Sequence, residues 1–428
     1  MITTRQEQQH GPLREQRKAV LGYRARLHDF ISPQTRVRDR SALTLCVLLF
    51  PLLTAFCGQA WAIDEAVAET PVEEQVTFYT TYGYLQGEDW VIPLRIWVHE
   101  GLDLKRRGLA KIARAVLAKR AGLDGVSDEE AELFEQHSEG FLADSESRES
   151  VRFSFDDDAE HREYFLGDGE QVTKTDFNGL VEGTLRLEKA SAARLLEAQG
   201  SNGGWLRFSA VSDGHEGIGW VRLIPPVGRS VISDIDDTIK VTEITAGESV
   251  VLRNTFFREF AAAPCMAELY RTFGDEVAFH YVSGGPWQMY EPLDRFLFTE
   301  PADFPRGSFH MKNLRLNPFE KESYEDIWTL IANGSQQVTF DQKVSQIRAI
   351  MQHFPGRTFT LIGDSGERDP EVFRQIREEF PQQVREIIIR VVSGDASTTP
   401  DQLQGMTRIP AIVSPGTSCS GLIGIAGP

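Results

Sequence analysis

The strongest constraint on the fold is an alternation of short apolar runs with helical segments beyond residue 226. The apolar runs are SVIS, VAFHYVS, TFTLIGD and EIIIRVV, and segments such as QKVSQIRAIMQHF and PEVFRQIREEF lie between them. Near-continuous apolar runs are typical of strands that are covered on both faces. Strands that alternate with helices indicate a doubly wound parallel sheet. We therefore predict an α/β domain over residues 226–395.

Polar residues follow three of these predicted strands at their carboxyl ends, where ligand sites of such sheets lie. A lysine begins the helical segment that precedes the third strand. The residues concerned are Asp234 and Asp236, Ser283 and Gly284, Asp364 with Asp369 beyond it, and Lys343. The sequence predicts that these side chains converge.

Carboxylates, a hydroxyl and a lysine at one strand edge suit metal-dependent phosphoryl transfer. Two or three carboxylate oxygens can hold Mg²⁺, which keeps its remaining waters. A carboxylate is a competent nucleophile toward phosphorus, and a second carboxyl group can exchange protons with the leaving alkoxide and with water. Asp234 and Asp236 lie on the same side of an extended segment, because side chains alternate along it.

These residues also carry a resemblance to a known family. DIDDT resembles the D-x-D-x-T signature of phosphatases in the haloacid dehalogenase superfamily, and YVSGG, Lys343 and GDSGERD resemble its later motifs in the same order. SDIDDTIKVT, FHYVSGGPW, FDQKVSQI and LIGDSGERDPEVF resemble more specifically the catalytic domain of the actin-patch phosphatidate phosphatases and their bacterial relatives. The resemblance covers roughly residues 226–395.

The resemblance implies a role for each matching residue. Asp234 would be the nucleophile and Asp236 the general acid/base, whose backbone carbonyl also faces the metal. Thr238, Ser283 and Gly284 would form the substrate-binding loops, with Lys343 as a second phosphate ligand. The implied Mg²⁺ ligands are Asp234, Asp236, Asp364 and, as a second-sphere or alternative ligand, Asp369.

Two departures and one spacing bear on the substrate. Cys265 stands where the family has glycine, and Gly284-Gly285 replace a more polar, serine-rich pair. The intervals from Thr238 to Ser283 and from Ser283 to Lys343 leave little room for a large cap domain. A site without a cap accepts a phosphate on a bulky body, so phosphatidate or another lipid phosphate is the expected substrate.

Several of these residues also have plain structural interpretations. DIDDT alone is compatible with an acidic turn, and an acidic residue before Pro370 is an ordinary helix start. Two functions remain as alternatives to the lipid phosphatase. One is an exported phosphatase for soluble organic phosphates, and the other is a partner-binding protein with a vestigial site.

Residues 76–225 have the pattern of a β-rich domain. Short runs such as VTFYTTYGYL, WVIPLRIWV and GLVEGTLRL alternate and are bounded by Gly, Asp and Asn, which predicts an antiparallel, sandwich-like domain. Two helices interrupt it within residues 103–140. The first, at 104–120, is basic, with Leu109, Ile112, Val116 and Leu117 on one face. It is compatible with peripheral membrane contact and also with a solvated amphipathic face.

The two ends of the chain have a different character. A basic stretch, an apolar core at 42–57 and Ala60-Trp61-Ala62 predict an export signal over residues 1–62, followed by a linker at 63–75. An uncleaved membrane anchor at 42–57 is the alternative, although a span needs ~20 residues. Residues 396–428, rich in Ser, Thr, Gly and Pro, predict a disordered tail.

Charge and cysteine content exclude some classes of protein. The net charge of -18 argues against a nucleic-acid partner, which would require a basic face. Cleavage of the signal would leave Cys265 and Cys419, which are distant in sequence and predict neither a disulfide framework nor a zinc site. We therefore expect an exported, Mg²⁺-dependent phosphomonoesterase that is held together by packing alone.

Overall fold

The computed structural model describes residues 74–101, 104–169, 171–299, 301–313, 336–392, 398–410 and 419. The predicted export signal and apolar segment lie outside these residues. The predicted linker at 63–75 ends earlier than expected, since the first strand begins at Glu74. Within the described ranges no helix is both long and apolar enough to cross a membrane.

The amino-terminal half is built on one nine-stranded sheet with the order β10-β1-β3-β2-β11-β9-β5, to which β4 and β8 add by pairing with β3. A separate small hairpin joins β6 and β7. The strands are β1 (Glu74–Phe78), β2 (Thr81–Gln86), β3 (Asp89–Glu100), β4 (Asp144–Ser145), β5 (Phe153–Phe155), β6 (Gly167–Asp168), β7 (Gln171–Val172), β8 (Leu180–Glu188), β9 (Trp205–Ala210), β10 (His215–Glu216) and β11 (Ile218–Leu223).

Pairing in this sheet departs from the antiparallel prediction at two places. The pairs β1–β10 and β2–β11 are parallel, and the others are antiparallel. Parallel neighbours require a long connection. Here β1 and β2 begin the amino-terminal half and β10 and β11 end it, so most of its residues lie between the two strands of each parallel pair. Strands β8 and β5 contribute to the same apolar core, together with helix α3 (Lys189–Ala198).

The predicted helical interruption is present as α1 (Leu104–Arg120) and α2 (Asp128–Leu142). Ser127 and Glu130 form a capping box at the start of α2. Both helices pack on the second half of the chain, where the Phe134 and Phe257 rings lie 5.4 Å apart. At Gly140 an added Cβ would lie 2.3 Å from the Gln288 carbonyl oxygen, so only glycine permits this close approach.

The second half has six parallel strands in the order β14-β13-β12-β15-β16-β17. This mixed α/β arrangement with a large parallel sheet agrees with the prediction. The strands are β12 (Val227–Ser233), β13 (Ala278–Pro286), β14 (Gly307–Lys312), β15 (Gly356–Asp364), β16 (Val384–Val391) and β17 (Thr407–Pro410). The helices are α4 (Glu248–Phe256), α5 (Met266–Arg271), α6 (Tyr290–Phe298), α7 (Gln336–His353) and α8 (Asp369–Glu379), with 3-10 turns at Ile244–Ala246 and Trp287–Met289.

The carboxyl-terminal stretch corrects two expectations. Residues 396–428 are predicted to be disordered, yet β17 pairs with β16 in the described part of this range. An edge strand offers unpaired backbone groups, and β17 satisfies those of β16. A disulfide joins Cys265 to Cys419, with 5.5 Å between their Cα atoms. Packing alone is therefore the wrong expectation, because sequence distance does not reveal distance in space.

The two halves share apolar cores rather than meeting at a simple linker. Tyr82 and Ile224 pack with Ile232 of the parallel sheet. The Arg222 guanidinium donates to the Val277 carbonyl oxygen at 2.7 Å. Residues Glu69–Pro428 accordingly form one compact unit.

Candidate active site

The predicted site residues meet at the carboxyl edge of the parallel sheet. Strand β12 lies between β13 and β15, so the ends of these three strands are neighbours. Asp234 follows β12, Ser283 lies near the end of β13, and Asp364 ends β15. All three side chains are buried.

Asp234 is held by contacts to both carboxylate oxygens. The Thr238 hydroxyl donates to Oδ2 at 2.9 Å, and the Lys343 ammonium donates to Oδ1 at 2.8 Å. The Asp234 amide donates to the Ile362 carbonyl oxygen at 2.9 Å, which fixes the loop against β15. The candidate nucleophile is thus oriented before any substrate arrives.

Lys343 connects three carboxylates in the buried interior of the site. Besides Asp234, its ammonium donates to Asp369 at 2.7 Å and to Glu367 at 2.8 Å. Burial disfavours the charged lysine, but these carboxylates outweigh burial and hold the pKa of Lys343 well above its usual value. Sequence reasoning missed Glu367, although it lies within the GDSGERD motif.

A carboxylate cluster supplies oxygens suited to a cation. Asp234, Asp364 and Asp369 each place one oxygen within 4.8 Å of the others. Asp364 accepts the Gly366 amide on Oδ1 at 2.6 Å, whereas its buried Oδ2 has no hydrogen-bond donor among the residues that the structure describes. Burial and the neighbouring carboxylates raise the pKa of Asp364. An unpaired buried oxygen within excess negative charge fits a small, hard divalent cation.

Asp236 is held apart from this cluster by a second lysine. Its Oδ1 accepts the Lys240 ammonium at 3.1 Å and the Thr242 hydroxyl at 2.7 Å, and its Oδ2 accepts the Ser283 hydroxyl at 3.3 Å. Lys240 also lies 4.8 Å from the centre of the Phe260 ring. Burial would raise the pKa of Asp236, but Lys240 and Thr242 outweigh it and lower that pKa.

Lys240 and Thr242 contact the candidate acid/base Asp236, and sequence reasoning did not assign them to the site. The four-residue separation of Asp236 and Lys240 was the available signal. The backbone must turn sharply for them to meet, and Asp237 at the centre of that turn has a positive φ of 55°.

Asp237 has a structural role in the turn. Its Oδ1 accepts the backbone amides of Thr242 and Glu243 at 2.9 and 2.7 Å, and its Oδ2 accepts that of Ile244 at 2.6 Å. The three acidic residues of DIDDT are therefore compensated differently. Asp234 contacts Lys343, Asp236 contacts Lys240, and Asp237 binds backbone.

The Ser283–Gly285 segment lies at the irregular carboxyl end of β13, where its register with β14 shifts, and it is beside Asp236. The Gly285 amide donates to the Ser283 hydroxyl at 2.9 Å. A Cβ on Gly284 would lie 2.8 Å from the Thr339 methyl group, so glycine at this position lets α7 approach the end of β13.

A cavity of about 420 Å³ opens over these groups. Its lining includes the charged side chains of Asp236, Lys240, Lys343 and Asp369. It also includes apolar side chains: Ile244, Val251, Met289, Leu293, Phe340 and Val372. The cavity is therefore lined by both charged and apolar groups.

Residues 229–391 match the family model described as "Phosphatidate phosphatase APP1, catalytic domain". This segment is similar to that catalytic domain over its matched length, and we call it the APP1-type segment. The APP1-type segment contains every predicted site residue and also Lys240, Thr242 and Glu367. Helices α1 and α2, which pack on it, lie outside the match.

Two curated proteins are similar to the APP1-type segment. "Phosphatidate phosphatase APP1" of Saccharomyces cerevisiae is 34% identical over 181 residues, which cover 41% of this chain and 28% of that protein. An uncharacterized protein of Schizosaccharomyces pombe is 26% identical over 173 residues, covering 39% and 26%. The match thus spans little more than a quarter of the length of either relative.

Solved structures give only a weak likeness. A β-glucuronidase from Ruminococcus gnavus aligns over 74% of this chain and 44% of its own, at 12% identity and a TM-score of 0.22. A TM-score this low supports no conclusion about fold or function.

Proposed function

We propose that this protein is a Mg²⁺-dependent phosphomonoesterase that hydrolyses phosphatidate or another lipid phosphate through a phospho-aspartate. The observation that carries the proposal is the paired arrangement of Asp234 with Lys343 and of Asp236 with Lys240 in one cavity. The parallel sheet, with its acids at three neighbouring strand ends, supports a haloacid-dehalogenase-like domain without a large cap.

In the first half of the reaction Asp234 attacks phosphorus and the ester oxygen departs. Thr238 and Lys343 hold the two oxygens of Asp234, so its orientation requires little reorganisation. Ser283, the adjoining backbone at the end of β13 and Lys343 stabilise the phosphoryl oxygens. The protonated form of Asp236, which is its minor form while Lys240 contacts it, donates its proton to the leaving alkoxide, which is a poor leaving group without one.

In the second half the phospho-aspartate is hydrolysed. Asp236, now ionised, accepts a proton from water as that water attacks phosphorus. Lys240 and Thr242 favour this ionised form. The products are inorganic phosphate and free Asp234.

Asp234, Asp364 and Asp369 would hold the Mg²⁺, and the backbone carbonyl of Asp236 is a further ligand in this proposal. Bound there, the ion supplies positive charge that neutralises phosphoryl oxygens. The Oδ2 of Asp364, which accepts no hydrogen bond from any described residue, supports this placement.

Two features favour a lipid substrate. Six apolar side chains contribute to the lining of the cavity and would provide apolar contact for the glycerol backbone and the proximal acyl chain. The APP1-type segment also resembles a protein described as a phosphatidate phosphatase. The substrate remains part of the proposal, since the match spans little of that relative.

We also propose that the protein acts outside the cytoplasm, in the periplasm or secreted. The disulfide between Cys265 and Cys419 supports this location, because structural disulfides persist mainly in oxidising compartments. The alternative is an exported chain that is anchored by its 42–57 segment.

Phosphate release from two substrates tests the proposed function. Phosphatidate in detergent micelles and a soluble aryl phosphate are each incubated with Mg²⁺ or with chelator, and Asp234→Asn serves as the blank. We expect Mg²⁺-dependent release that favours the lipid. Release from the aryl ester alone would remove the lipid substrate but keep the chemistry, and no release above the blank would refute the phosphatase.

A further inference from the structure

Helix α1 exposes large apolar side chains in an arrangement opposite to that of an ordinary surface helix. The exposed fractions of Leu109, Ile112 and Val116 are 41%, 61% and 42%. Positions three and four apart lie on one helix face, so these three side chains form a single stripe. The sequence pattern predicts that Leu117 lies on this same face, but it is fully buried.

The buried face of α1 is made largely of small side chains. Ala110, Ala113 and Ala118 pack with Leu117, and with Ala121 directly after the helix, against the core that α1 shares with α2 and α4. Small residues allow a helix to lie close to its neighbours. The larger aliphatic residues are left outside, where exposure costs stability unless another apolar phase covers them.

Lysines border the apolar stripe on a protein that is otherwise acidic. Lys111 and Lys119 are exposed and form no ion pair within the described ranges. Arg114 and Arg120 instead contact Glu135 and Glu248, at 3.6 and 3.1 Å. The chain as a whole carries a net charge of -18. The outward lysines therefore give the exposed face of α1 a positive charge, opposite to the net charge of the protein.

The helix is joined to a wall of the cavity. The Arg253 guanidinium of α4 donates to the Ala121 carbonyl oxygen at 2.6 Å, directly beyond the end of α1. Val251 and Thr255 of the same α4 line the cavity. Val338, in the first turn of α7, is 52% exposed beside the lining residue Thr339. Exposed apolar groups therefore occur on two elements associated with the site.

We infer that the outward face of α1, defined as Leu109, Lys111, Ile112, Val116 and Lys119, binds the surface of an anionic lipid bilayer. Aliphatic side chains enter the boundary between headgroups and acyl chains while flanking lysines contact anionic headgroups. The choice of a bilayer over a protein partner rests on this charge complementarity and on the proposed function, since a lipid phosphate is presented at such a surface.

Vesicle co-flotation tests the inference without requiring catalysis. The full chain carrying Asp234→Asn is mixed with vesicles of phosphatidylcholine, with or without phosphatidylserine, at low and high salt. The test variants are Ile112→Asp with Val116→Asp, and Lys111→Gln with Lys119→Gln. The matched control is Ile218→Asp, because Ile218 is 51% exposed on β11. All variants share the same 42–57 segment, so differences between them report on the mutated face.

We expect the parent protein, which carries only Asp234→Asn, to bind vesicles that contain phosphatidylserine and to bind them less tightly as the salt concentration increases. The aspartate pair should weaken this binding at least tenfold, the glutamine pair severalfold, and Ile218→Asp should leave it unchanged. Unfolding midpoints measured by circular dichroism verify that every variant folds.

Four outcomes would overturn the inference. They are no binding by the parent, equal binding by the α1 variants, equal loss in Ile218→Asp, and concentration-dependent self-association that only the α1 variants lose. An enzyme that binds vesicles through α1 but releases no phosphate would refute the proposed function alone. If the protein releases phosphate from phosphatidate but its vesicle binding is unchanged by the α1 substitutions, this inference alone would be refuted.

Discussion

Removal of the disulfide by Cys265→Ser with Cys419→Ser should lower the stability of the protein while preserving its site. The bond closes a loop with a sequence separation of 154 residues, which contains Ser283, Lys343 and Asp364. Neither sulfur lines the cavity. We therefore expect the variant to retain turnover of an aryl phosphate at temperatures well below its unfolding midpoint.

The size of the effect follows from chain entropy. For a loop of this length the chain-entropy relation gives about 17 cal/mol/K, or about 5 kcal/mol at 25 °C, as the destabilisation on opening the bond. The compact unit Glu69–Pro428 comprises roughly 360 residues, for which the unfolding entropy is about 0.76 kcal/mol/K. Opening the loop should thus lower the midpoint by up to about 7 °C, and by about 4 °C if the effect is in the usual measured range of 2–4 kcal/mol.

Calorimetric unfolding with and without reductant measures this effect. Each single serine variant should have the same unfolding midpoint as the double variant, because either substitution opens the same loop. Reductant should lower the midpoint of the unsubstituted protein to that same value and leave the midpoint of the double variant unchanged. Thiol titration establishes that the parent is oxidised. An oxidised parent that melts within about 1 °C of the double variant would refute the reasoning.

Three further predictions address the site and the pH dependence of stability. Lys240→Met removes the charge that favours ionised Asp236, so hydrolysis of the phospho-aspartate should slow and steady-state turnover of both an alkyl and an aryl phosphate should fall about 100-fold, whereas the initial burst of nitrophenol from the aryl ester should persist; a lost burst or an unchanged steady-state rate would contradict this role. Asp364→Asn should raise the Mg²⁺ concentration for half-maximal activity at least tenfold, yet in chelator it should melt no lower than the parent, because it removes an uncompensated buried charge. Burial lowers the pKa of His99 to about 4 and of His310 to about 3. The unfolded chain binds these protons near pH 6.5, so stability should be full above that pH and decline below it by about 1.4 kcal/mol per pH unit for each histidine. Denaturant titrations of His99→Gln and His310→Gln should show shallower declines, and unchanged slopes would contradict the assignment.

The sequence predicted the parts of the fold that depend on local periodicity. Strands β12, β13, β15 and β16 are apolar runs, and their order along the chain indicated the parallel sheet. Strand β17 is only four residues long and half polar, so no local pattern distinguishes it from a loop. The disulfide and the parallel pairs of the first sheet depend on long-range contacts, which one sequence does not contain.

The same division applies to the site and to α1. Acids at strand ends indicated Asp234, Asp236 and Asp364, whereas Lys240 required knowledge of the turn at Asp237. The sequence identifies the apolar residues of α1 but does not show that Leu109, Ile112 and Val116 face away from the core. A pattern that places Leu109 and Leu117 on one face cannot show that a close-packed alanine face lies against the core.

Direct detection of a phosphorylated Asp234 tests the central claim. Enzyme is mixed with phosphatidate labelled in its phosphate and Mg²⁺, quenched in acid within the first turnovers, digested, and analysed by mass spectrometry. The account predicts one labelled peptide, containing Asp234, which loses its label in hydroxylamine and is absent from Asp234→Asn. Turnover without label on this peptide, or turnover retained by Asp234→Asn, would contradict the account.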